Sequence, residues 1–327
     1  MAGLRSSTSE NEVSSELRRT STAFRRSRES IIPFTPQRVL AVSGMVLVAA
    51  IWATSFIGVR YLVKELGPFT LAGLRYSLGA VFLLPWGKRE LGRRFPRALW
   101  RKLFLIGICQ YTIANGFLFW SLKRLPAAAG ALGSCLSSVP VLILSSVFLR
   151  ERPNALQTIG LGAVVGGSLY FFTGGFAECD PKALGSLGTA ALAFSVLPVL
   201  GRELARGRML GSISLTALPL AIGGGLALAA GLAIEGVPHL SPIDWGIIVG
   251  LAAINTSLAY LLFNWALREL YALEANVIAN LSPIGTAILA KTTLGEHLAP
   301  GELGSLLAIV IGASLTQLRG GGGDRGK

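Results

Sequence analysis

The chain has 327 residues, of which 52% are hydrophobic and only 14% charged, with a mean hydropathy of +0.59. A soluble globular domain carries about 25% charged residues, so this composition excludes an ordinary soluble fold and implies a polytopic membrane protein. The formal net charge of +13 does not point to nucleic acid, because the Lys and Arg residues sit at the ends of apolar runs, where the positive-inside rule puts them.

Residues 1–37 are rich in Ser, Thr and Arg and hold four glutamates, with no apolar core of a signal peptide. They are expected to form a disordered cytoplasmic tail beside anionic headgroups. A spanning helix needs about 20 mostly apolar residues. Ten such runs follow, at 39–62, 68–86, 100–121, 126–149, 155–173, 183–202, 210–233, 244–266, 272–294 and 300–318. Pro68, Pro126 and Pro300 fall at helix starts, where a missing N–H costs least. Residues 319–327 read as a second disordered tail. The expectation is an all-α membrane protein of ten transmembrane helices.

An even number of spans puts both termini on one side. With that side cytoplasmic, the inner segments hold 23 of the 30 Lys and Arg residues. The outer loops then hold five (Arg60, Lys64, Lys123, Arg124 and Lys182), and Arg75 and Lys291 lie inside spans. This bias predicts a multi-pass protein of the cell (inner) membrane with both termini cytoplasmic.

The chain is also similar to itself. A shift of 145 residues places Trp100 on Trp245, Trp120 on Trp265, Ser137 on Ser282, Glu151 on Glu296 and Gly167 on Gly312. Near the front a shift of 142 places Trp52 on Phe194 and Arg60 on Arg202. Two five-helix units follow, 38–174 and 183–318. Five is odd, so the second unit enters the membrane from the opposite side. Inverted repeats of this kind build transporters whose substrate sites lie at the repeat interface.

Polar side chains inside spans face the protein interior or a wet cavity. Thr112 and Asn115 share a face of the third helix with Tyr111 adjacent, and Ser257, Tyr260 and Asn264 fall within about 60° on the eighth. Under the shift of 145, Thr112 matches Ser257 and Asn115 matches Tyr260. Asn276, Asn280 and Pro283 fall within about 60° on the ninth helix, with Lys291 near the same stripe. Each is a candidate substrate contact; the alternative is hydrogen bonding between helices. Trp52 is an aromatic wall or packing. Arg75 binds a substrate carboxylate or snorkels to the outer surface, and Lys291 is a vestibule cation or an anchor. Glu151 and Glu296 offset the positive end of the helix that follows each, or take part in proton coupling. The Gly-rich run 160–167 reads as close helix packing. His239 and His297 fall in outer loops and the three cysteines have no CxxC spacing, so neither metal nor cofactor is expected.

The runs WATSFIGVRYLVKELGPFTLAGLRY (52–76), LSPIGTAILAKTTLGE (281–296) and LSSVPVLILSSVFLRE (136–151) resemble the EamA-like transporters of the drug/metabolite transporter superfamily. That resemblance implies ten helices in two five-helix halves, with both termini inside. It also implies transport of amino acids, nucleobases, vitamins, drugs or other metabolites, mostly outward. Departures are Ser138, where the second half has Pro283, with Pro140 two residues later, and Arg150 before Glu151. The expected function is a secondary transporter of a small metabolite, an amino acid or a similar amphipathic compound, working by alternating access. The alternatives are proton-coupled multidrug or cation efflux and an intramembrane enzyme. The spans lack the deep carboxylate the first needs and the acid, base or metal cluster the second needs. The expected partners are a small-molecule substrate and the lipid bilayer, not nucleic acid. The oligomeric state is left open.

Overall fold

The computed structural model describes residues 35–91, 95–151, 153–173, 180–207, 210–293, 295 and 300–317. Of the expected tails, 1–37 and 319–327, residues 1–34 and 319–327 lie outside the described residues, as do Cys179, Glu296 and His297.

Among the described residues the chain runs in ten helical rods. Eight are long and apolar enough to cross a membrane: α1 (Pro36–Leu62), α2 (Pro68–Leu91), α3 (Arg97–Leu122), α4 (Ala127–Leu149), α6 (Pro181–Arg206), α7 (Ser212–Ile234), α8 (Pro242–Ala266) and α9 (Ala272–Thr293). The other two, α5 (Ala155–Thr173) and α10 (Pro300–Gln317), carry shorter apolar stretches, Ala155–Tyr170 and Leu307–Thr316. Backbone groups have no water to bond inside a bilayer, so helices are the structures that satisfy them.

Local chemistry sets where the rods begin. Thr35 accepts from the Arg38 amide at 3.3 Å and Pro36 fills the first turn, so α1 starts inside the segment expected as tail. Asp180 with Pro181 opens α6, and Ser241 with Asp244 forms a capping box over Pro242 at α8. The start of α2 is capped from another helix: the Glu235 carboxylate, just beyond α7, accepts from the amides of Phe69 and Thr70 at 3.0 and 2.8 Å. Each cap satisfies amides that a helix start leaves without partners.

The two units make mirrored contacts. Arg60, near the end of α1, donates to the Leu122 carbonyl at the end of α3. Arg202, near the end of α6, donates to the Leu267 carbonyl beyond α8 at 2.6 Å. These are equivalent pairs under the two shifts. They lie on opposite faces of the bundle. Arg38, at the start of α1, pairs with Glu274 at the start of α9, and Arg202 reaches that same α9 start through Glu151. Arg60 lies 22 residues further along α1, about 33 Å away at 1.5 Å per residue. The second unit is therefore inverted relative to the first.

Packing follows the same symmetry. α2 lies along α7, its repeat equivalent, and α5 along α10. At the α5–α10 contact a Cβ on Gly160 would sit 2.6 Å from the Gly312 carbonyl, and one on Gly167 would sit 2.9 Å from the Ser305 carbonyl. The glycines let the two backbones touch, as the spacing of small residues in this run implies.

Candidate substrate cavity

Local irregularities set the cavity walls. In α3 the residues Gly107–Ala114 wind into wider π-type turns, and in α8 the residues Leu251–Leu258 do the same at the equivalent place. Such turns often mark functional positions in helices. Polar side chains take up the carbonyls they leave: Asn115 Nδ2 donates to the Gln110 carbonyl at 2.6 Å, and Ser257 Oγ to the Ala252 carbonyl at 2.8 Å. α9 is broken between Ala279 and Ser282, just before Pro283, which has no N–H to continue the ladder. Its equivalent α4 tightens to a 3₁₀ turn at Cys135–Ser137 instead.

A cavity lies between the two units; Gln110, Ser137, Ala279, Asn280 and Ser282 line it from these irregular stretches, and the α8 stretch stands just before the lining residue Tyr260. The cavity is lined from α1, α2, α3, α4, α6, α8 and α9. Trp52 forms an aromatic wall, its ring 5.2 Å from Tyr260 and 5.7 Å from Phe263. Phe194, at the position equivalent to Trp52, also lines the cavity. One polar corner joins the units. Asn276 Nδ2 donates to Ser138 Oγ at 2.9 Å and Asn280 Nδ2 to the same oxygen at 2.7 Å. Ser138 stands where the second half has Pro283, so this departure provides the hydroxyl on which both amides converge.

Of the residues singled out in the sequence, Trp52, Arg75, Asn115, Tyr260, Asn276 and Asn280 line this cavity. Tyr111, Thr112, Ser257, Asn264 and Lys291 do not. Thr112 donates to the Gly223 carbonyl at 2.8 Å, Ser257 also to the Gly79 carbonyl at 2.8 Å, and Asn264 to Thr216 Oγ1 at 3.0 Å. All three bridge helices. Tyr111 is buried behind the wall, its ring 5.0 Å from Tyr260. Lys291 is exposed at the end of α9. Arg75 does not reach the surface by snorkelling; it is 3% exposed.

Other lining residues carry less sequence signal. Gln110 donates from Nε2 to the Tyr260 hydroxyl at 3.1 Å, while its Oε1 is buried without a partner. Its match with Asn255 under the shift of 145, an amide in each repeat, was the available clue. Ser55, Ser137 and Ser134 line the cavity from α1 and α4 and read in the sequence as ordinary small residues.

On the terminal face Glu151 accepts from Arg202 Nε at 3.0 Å and from the Ala272 amide at 3.2 Å. It caps α9 rather than the helix that follows it. Burial pushes its carboxyl above the ordinary value, with the Arg202 guanidinium pulling the other way.

The model of the EamA-like transporter family matches twice, at residues 39–173 and 183–318. An uncharacterized transporter of Archaeoglobus fulgidus is 27% identical over 274 residues, covering 78% of this chain and 90% of that protein. An S-adenosylmethionine/S-adenosylhomocysteine transporter of Chlamydia trachomatis is 27% identical over 296 residues, covering 86% and 90%. A probable terminal-alkyne amino-acid exporter of Streptantibioticus cattleyicolor is 29% identical over 170 residues, covering 50% of this chain and 56% of that protein. A solved crystal structure superposes with a TM-score of 0.70 at 18% identity, over 84% of this chain and 94% of the other, which is a likeness of fold alone. With two matched copies that together span most of its length, the chain belongs to the EamA-like transporter family.

Proposed function

We propose that this protein is a secondary transporter that moves a small metabolite, an amino acid or a similar amphipathic compound, by alternating access. Rocking one five-helix unit against the other exposes the cavity to each side in turn, and the direction in the cell is export. The observation that carries this reading is the position of the cavity. It lies between the two inverted units, with an aromatic wall and a polar corner to which both contribute, as sites at a repeat interface do. Relatives named as an amino-acid exporter and as an S-adenosylmethionine/S-adenosylhomocysteine transporter support a small-molecule cargo.

The reading includes ten membrane spans. α5 and α10 have 19 and 18 residues, about 28 and 27 Å at 1.5 Å per residue, close to a hydrocarbon core of about 30 Å. The cationic bias of the loops supports termini on the cytoplasmic side of the cell membrane.

The test is counterflow. Proteoliposomes preloaded in turn with a panel of amino acids, amines, organic acids and vitamins should accumulate at least one labelled member faster than protein-free liposomes. If none moves, and the purified protein covalently converts a lipid or metabolite, the transport reading fails.

A further inference from the structure

Arg75 is a buried cation whose protein partners are all uncharged. Its Nε donates to Thr256 Oγ1 at 2.7 Å, its Nη1 to Ser55 Oγ at 2.7 Å and its Nη2 to the Asn255 carbonyl at 3.1 Å. Ion pairs elsewhere among the described residues join Arg38 to Glu274, Lys102 to Glu203, Arg124 to Asp180 and Arg202 to Glu151; none includes Arg75. No Asp or Glu is among the residues that line the cavity with it. The rings of Tyr76 and Phe119 lie 5.2 and 5.9 Å from its Cζ. Such contacts ease the burial of a cation without neutralising it. A guanidinium has five N–H donors in a planar fork, and three are engaged by the protein. A buried charge without a counter-ion is costly. This one is nonetheless held rigid, by one hydroxyl on α1 and two groups in the π-type turns of α8.

We propose that the transported molecule carries a carboxylate and that Arg75 holds it, the substrate supplying the counter-charge that the protein omits. This rests on the transport reading of the same cavity. A carboxylate meets the remaining edge of the fork with charge-assisted hydrogen bonds. The unpartnered Gln110 Oε1 offers an acceptor to an N–H on the same molecule. Trp52, Phe119, Phe194 and Phe263 enclose an apolar body. The cargo is thus an apolar carboxylate, not an amine whose only charge is positive.

A matched series tests this on the purified full chain: 3-phenylpropionate, phenylalanine, phenylalaninamide and phenethylamine, with binding read from ligand-dependent melting shifts. The two carboxylates should bind at least about tenfold tighter than the amide and the amine, the difference one charge-assisted bidentate pair makes. Arg75→Gln should remove that preference, and Arg75→Lys, which keeps the charge but not the fork, should retain part of it. A merely structural arginine would weaken all four ligands alike. Equal binding of phenylalanine and its amide by the wild-type protein overturns the proposal whether or not any variant folds, and so does a preference that survives in Arg75→Gln. Counterflow of amines or neutral compounds without carboxylate preference overturns it while the transport reading stands. Arg75-dependent carboxylate binding with no counterflow of any compound supports this site and overturns transport.

Discussion

Three asparagines on neighbouring helices look alike in the sequence and differ in the fold. Asn276 and Asn280 face the cavity and share the Ser138 hydroxyl, whereas Asn264 is spent on Thr216. Truncating Asn280 to Ala removes a donor from the cavity and is expected to weaken apparent transport affinity about five- to tenfold, the worth of about one hydrogen bond. Asn264→Ala should leave affinity within about twofold and lower the melting temperature, because the buried bond that is lost belongs to a residue outside the cavity lining. Counterflow and melting curves on the two variants check both; the reverse pattern would remove the polar corner from the site. Half of this site was legible. The polar faces of α3 and α8 were readable by helical periodicity, but not which of their residues reach the cavity. A fixed 100° step fails across Gly107–Ala114 and Leu251–Leu258, where the turns widen and rotate every later side chain. Thr112 and Ser257 fall within those stretches and point into neighbouring helices.

At the scale of the helices, close packing and end-capping decide stability. Gly160→Leu drives a side chain into the Gly312 carbonyl, whereas a Cβ on Gly162 meets nothing within 4 Å. We expect Gly160→Leu to cost about 1–3 kcal/mol, the usual penalty of overpacking, and Gly162→Leu to leave the melting temperature unchanged. Equal effects in thermal melts would contradict the α5–α10 contact. Glu151 adds a pH dependence. Its folded carboxyl titrates above the ordinary 4.5 because burial outweighs the Arg202 ion pair. The folded protein therefore holds this proton more tightly than the unfolded chain does. That contribution is fully present below about pH 4.5 and is lost as pH rises through the raised value. Melting temperatures of wild type and Glu151→Gln, taken from about pH 4 to 7, should diverge in that window, with the wild type losing the larger share.

The bundle as a whole was the most legible level, because its signals are long. Apolar runs and a shift of 145 residues, 142 near the front, each span dozens of positions, so no single irregularity hides them. The mirrored bonds of Arg60 and Arg202 give that shift a physical form: each fixes the first helix of its unit to the third. What the shift did not reveal is how the units hold together at the terminal face. There Glu151 of the first unit grips Arg202 and the α9 start of the second, a contact between positions far apart in sequence. Alternating access requires that grip to loosen in one of the two states.

Side-specific labelling tests this movement most directly. Ser134 lines the cavity, is half-buried and donates to the Ala131 carbonyl of its own helix. In a variant with Cys109, Cys135 and Cys179 replaced by Ala, Ser134→Cys should react with a membrane-impermeant thiol reagent applied from either side of the membrane. A transported substrate should protect it from both. A cysteine that reacts from only one side, with substrate present or absent, would contradict a cavity that opens alternately.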